Sequence, residues 1–91
     1  MYHYAEHMLA AIAADITIVT PSGDVYSGKF DRQRADFDSD LKDQPIWQIT
    51  KVALTSSEGA STYETMYPEG SKAFAFAWSG HDSLNYTYSR N

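Results

Sequence analysis

Ninety-one residues are enough for one hydrophobic core and too few for two, so a single domain over 1–91 is expected. The chain has no cysteine, which excludes disulfide staples and thiolate zinc sites. Seven Lys and Arg against twelve Asp and Glu leave a net charge of −5, the wrong sign for a protein that holds phosphates. No apolar run approaches the ~20 residues that cross a bilayer, and the start lacks the basic and apolar blocks of an export signal. These features predict no membrane, no nucleic acid and an intracellular product without an export signal.

In chain order, residues 2–14 (YHYAEHMLAAIAA) are rich in good helix formers. Tyr4, Met8 and Ile12 recur every four residues and Leu9 widens the stripe, which predicts a short amphipathic helix within 1–15. Such a helix is marginal alone and needs a surface to dock on. Residues 16–30 then hold two β-favouring runs, ITIVT and VYSGKF, around a Pro-Ser-Gly-Asp turn, the pattern of a β-hairpin. Residues 31–45 form an acidic connection whose apolar positions are Ala35, Phe37 and Leu41, with a helical turn expected near 36–42.

From 46 to 91 the chain reads as a four-stranded antiparallel meander: strands 46–54, 61–67, 72–78 and 84–89, with turns at 56–60, 68–71 and 79–83. In the last two runs Phe74, Phe76 and Trp78 share one face and Leu84, Tyr86 and Tyr88 another, so the aromatic faces should meet. The fold class is therefore mainly β (α+β): a short N-terminal helix, a hairpin and a four-stranded meander.

Candidate chemistry is sparse. Asp36-x-Asp38-x-Asp40 opens like a calcium loop, but Leu41 stands where the sharp turn needs Gly and Trp47 where the bidentate Glu belongs. A solvated acidic loop is the better reading. Lys29, Arg32, Arg34 and Lys42 fall in the same stretch, but Asp31, Asp36, Asp38, Asp40 and Asp43 outnumber them. His3 and His7 have the i, i+4 spacing of a two-point metal site without a third ligand nearby. Ser79, His81, Asp82 and Ser83 crowd one turn, whereas a catalytic triad converges from separate elements. No enzyme activity, cofactor or metal is predicted. The aromatic stripe reads mainly as core, as a small domain requires. The aromatics most suited to anchor contacts with partners are Tyr2, Tyr4, Trp47, Tyr67, Trp78, Tyr86 and Tyr88, together with Met8.

The second half carries P-I-W-Q-I-T-K-V at 45–52, M-Y-P-E-G-S at 66–71, F-A-W at 76–78 and L-N-Y-T-Y at 84–88. It resembles a pattern in short virion-associated proteins of tailed bacteriophages, with a Trp-x-Ile-x-Lys strand, a Tyr-Pro-x-Gly-Ser turn and a Tyr-rich last strand. Where that pattern has an acidic-basic pair after the last Trp, this chain has Ser79-Gly80-His81-Asp82. The resemblance implies a minor virion component of capsid, neck or tail. Its partners would be copies of itself and other virion proteins, and its location the virion. The rival expectations are a small phage-encoded inhibitor of a host protein and a sugar- or peptide-binding β module.

Overall fold

The computed structural model describes residues 14–90. They form one five-stranded antiparallel sheet in the order β1-β2-β3-β4-β5. The strands are β1 (Ile16–Val19), β2 (Val25–Phe30), β3 (Trp47–Ser57), β4 (Ala60–Pro68) and β5 (Tyr86–Thr87). The chain is mainly β, as expected. Of the N-terminal helix expected within 1–15, residues 1–13 lie outside the described residues, and Ala14 and Asp15 are not helical.

The first hairpin forms where the Pro-Ser-Gly-Asp turn places it. Thr20 N–H donates to the Asp24 carbonyl (2.8 Å) and Gly23 N–H to the Thr20 carbonyl (2.9 Å), which closes the turn. Just before β1, the Asp15 carboxylate accepts both guanidinium nitrogens of Arg32 (2.7 and 3.2 Å) and the Phe30 backbone N–H (3.1 Å). The Arg32 hydrogen bonds hold the Asp15 carboxyl below its ordinary value, with the Phe30 N–H adding to the effect against some desolvation. A depressed folded-state pKa contributes stability above the unfolded-state value, ~3.9, and that contribution is lost as pH falls through the folded value. Carbon-detected carboxyl titration should therefore place Asp15 below the ordinary aspartate value, and Arg32→Ala should move it back up. The pair is largely solvent-exposed, so the stability at stake is small.

Strand register divides the sheet into two faces. Ile16 pairs with Gly28, Gly28 with Ile49, and Phe30 with Trp47, so these residues share the first face. The connections 31–45 and 69–85 fold over it. Ile46, Trp47, Ile49 and Trp78 are its buried centre, ringed by Ile16, Tyr26, Phe30, Ala35, Leu41, Phe76, Leu84 and Tyr86. In the acidic connection the helical turn is a short 3-10 turn, Leu41–Asp43, capped by the Asp40 carboxylate on Lys42 N–H. Leu41 leans on the core, while Phe37, expected to anchor the same turn, is 64% exposed.

The structure corrects the meander at its end. Residues 72–78 are not a strand: only Phe76 joins the sheet, in a single bridge to Trp47. Trp78 opens a 3-10 turn, Trp78–Ser83, and the expected strand 84–89 shrinks to Tyr86–Thr87, which pairs with Tyr67 and Pro68. The physical reason lies two strands away. A Cβ on Gly28, in β2, would stand 2.7 Å from the Trp78 ring. A strand bonded to the outer edge of β4 could not lay an indole across β3 onto β2, because each strand adds ~4.8 Å. Burying Trp78 there obliges the segment to leave the sheet.

Candidate functional site

The aromatics expected to make contacts are divided by the fold. Trp47 and Trp78 are each 3% exposed, and their rings lie 5.7 Å apart in the core. The Trp47 Nε1–H donates to the Leu41 carbonyl (2.8 Å), so even its polar atom is satisfied within the chain. Tyr86 is half-buried; its hydroxyl donates to the His81 carbonyl, and burial, with lesser effects from Tyr26 and Asp82, pushes its pKa well above the usual tyrosine value. Tyr88 is 61% exposed and donates to the Glu64 carboxylate, an interaction that raises its pKa. Tyr67 lies on the second face of the sheet, with Lys72 Nζ 5.4 Å from its ring centre. Tyr2, Tyr4 and Met8 lie outside the described residues.

The candidate chemical clusters are absorbed into local structure. Asp36 accepts Asp38 N–H (3.0 Å) and the Ser39 hydroxyl (3.2 Å), while Asp40 caps the 3-10 turn. These carboxylates shape their own loop. The His81 ring stacks on Trp78 at 4.4 Å and its Nδ1 bonds the Trp78 carbonyl, which fixes the ring against the core. Among the described residues no three His, Asp or Glu side chains converge as a metal site, and no helix is long and apolar enough to cross a membrane.

What stands out is the far end of β3 and β4. β3 has eleven residues, but β2 accompanies it only as far as Val52, after which the Asp24 carboxylate accepts Leu54 N–H (2.9 Å). β4 pairs with β3 from Ala60 to Met66 and meets β5 only at Tyr67 and Pro68. Beyond Leu54 the two strands therefore run on as a ribbon, and every residue from Thr55 to Tyr63 is exposed. A two-residue loop closes it: Ser57 pairs with Ala60, and Glu58 and Gly59 both have positive φ, 52° and 81°. That loop is the type I′ hairpin, whose second residue is best served by glycine. The molecule is drawn out to 48 Å, against 26 and 21 Å across.

Ribbons of this kind are normally guarded. Exposed edges elsewhere carry Lys, Pro or a bulge that discourages another chain from pairing. Between Leu54 and Tyr63 the only charged residue is Glu58, at the tip, and there is no proline. Among the described residues no further strand pairs with Thr55–Ser57 or with Ala60–Thr62. In sequence, 56–60 reads as a plain turn between strands; the signal it holds is the run of Thr, Ser and Ala with almost no charge.

Comparisons with protein-family models, with curated proteins and with solved structures give no match to this chain.

Proposed function

We propose that this chain is a structural protein that works through protein–protein contacts, with the β3–β4 ribbon as the element that adds to a strand of a second copy. The observation that carries the reading is the ribbon: nine exposed residues, Thr55 to Tyr63, without the charges or proline that keep edges apart. An isolated two-stranded ribbon is marginal in water, and strand addition satisfies its outward backbone groups while burying its side chains. A small chain also gains in symmetric assembly the buried surface that it lacks alone. The resemblance to tailed-phage proteins supplies the setting, a minor component of capsid, neck or tail, with other virion proteins as further partners.

Light scattering of the purified chain across micromolar concentrations tests this reading. A discrete oligomer is expected, and the double substitution Ser56→Lys and Thr62→Lys should return the mass to that of a monomer. Both positions are exposed, so the substitutions should change folding stability by only about 0.5 kcal/mol or less. An oligomer that persists unchanged in the double variant would place the contact elsewhere. A monomer at every concentration would reject self-assembly and favour the inhibitor or ligand-binding alternatives.

A further inference from the structure

The second face of the sheet holds a depression beside the buried Val25 and Val52. Ser27 pairs with Thr50, and Val52 with Thr65, so their side chains stand together on this face, opposite the indole-filled side. Small residues at the middle of three neighbouring strands leave a hollow, while Lys29, Gln48 and Tyr67 rise beside it. The hollow is a cavity of about 270 Å³.

Its chemistry is specific. Ser27 is 2% exposed, and its hydroxyl has no hydrogen-bond partner among the described residues. Buried hydroxyls are nearly always paired, because leaving one unmade forfeits its hydration without return. Thr50, Thr65 and Tyr67 bring three more hydroxyls to the same lining. Gln48 already donates its amide N–H to the Lys72 carbonyl (2.8 Å), which leaves its Oε1 as an acceptor. The described lining contains no carboxylate, so it offers nothing to a cation. Its one ammonium, on Lys29, sits 5.9 Å from the Phe74 ring centre, and a single cation on a chain of net charge −5 is a poor anion site. An apolar ligand would strand four hydroxyls. What remains is a ligand that both donates and accepts at several points and carries no charge.

We propose that this cavity binds a small neutral polyhydroxylated molecule, about one sugar ring in size, with the Ser27 hydroxyl as its innermost hydrogen-bond partner. The volume falls near the lower end of the range for small-molecule sites, ~300 Å³, which fits one ring and not an extended oligosaccharide.

The test is a titration of the full chain with glucose, galactose and N-acetylglucosamine, followed through backbone amide NMR shifts, with inorganic phosphate as the charged control. The expected result is saturable movement of the Ser27, Thr50 and Thr65 amides with one of the sugars, and binding about tenfold weaker in Ser27→Ala. That variant removes an unpaired buried hydroxyl, so it should fold at least as well as the parent, which a thermal melt checks. Absence of shifts with every sugar up to about 100 mM overturns the proposal. So do shifts produced by phosphate alone, or sugar binding that Ser27→Ala leaves unchanged.

Discussion

Trp47→Ala is expected to remove most of the chain's folding stability at 25 °C. The indole is 3% exposed, lies 5.1 Å from the Phe30 ring and 5.7 Å from Trp78, and bonds the Leu41 carbonyl. Its backbone is equally engaged: Trp47 N–H donates to the Phe76 carbonyl (2.8 Å) and Phe76 N–H returns to the Trp47 carbonyl (3.2 Å). Truncating a buried aromatic to Ala costs about 3–5 kcal/mol. For a chain of this size the whole margin is about 5 kcal/mol, at the low end for globular domains. Trp47→Phe separates the contributions: it keeps a ring against Phe30 but gives up the bond to Leu41, worth ~1 kcal/mol. Urea unfolding followed by Trp78 emission checks both, with a modest fall in midpoint expected for Phe. An unchanged midpoint in Trp47→Ala would mean that the core lies elsewhere.

The second large effect is expected from a single added methyl group. Gly28 is at the centre of β2, and a Cβ there would lie 2.7 and 2.8 Å from Trp78 Cε3 and Cζ3 and 3.0 Å from Trp47 Cε3. Two effects compete in Gly28→Ala. The unfolded chain loses freedom, which alone would stabilise by ~0.4–1 kcal/mol. Overpacking against two neighbouring indoles destabilises by about 1–3 kcal/mol, and neither ring has room to retreat, so the net effect is a loss. The decisive measurement is a double-mutant cycle with Trp78→Leu. If the clash is the cause, Gly28→Ala should cost far less once the indole is gone. An equal cost in both backgrounds would assign the glycine to the backbone instead.

Much of the sheet is legible in the sequence because its signals are local. The Pro-Ser-Gly-Asp turn locates the first hairpin, and the expected strands 46–54 and 61–67 differ from Trp47–Ser57 and Ala60–Pro68 only at their ends. The segment 72–78 mimics a strand for a definite reason. Alternating Phe and Ala satisfy the period of a strand, but they equally suit a covering loop that turns its aromatics toward the sheet. What decides between them is the bare backbone of Gly28, which admits Trp78 and is distant in sequence. The same reason governs the site residues. Trp47 and Tyr88 look alike as contact anchors in sequence, yet one is enclosed and the other is 61% exposed. The cavity needs the register of three strands at once, and no pattern within one strand specifies that.

The continuity of β3 has a mechanical meaning. One strand carries Trp47 at its buried end and Ser57 at the tip of the ribbon. A pull on the ribbon along its length is therefore delivered straight into the strand that anchors the indoles. β2 and β4 flank that strand, so their hydrogen bonds share such a load in parallel, as fasteners do in shear. A sideways tug would instead meet the β2–β3 pairs one at a time, beginning at Val25–Val52 beside the ribbon, so that they open in succession like a zip. The molecule is thus stiff along the ribbon and soft across it, so a neighbour that grips the tip can draw on the whole core for resistance only when it pulls in line.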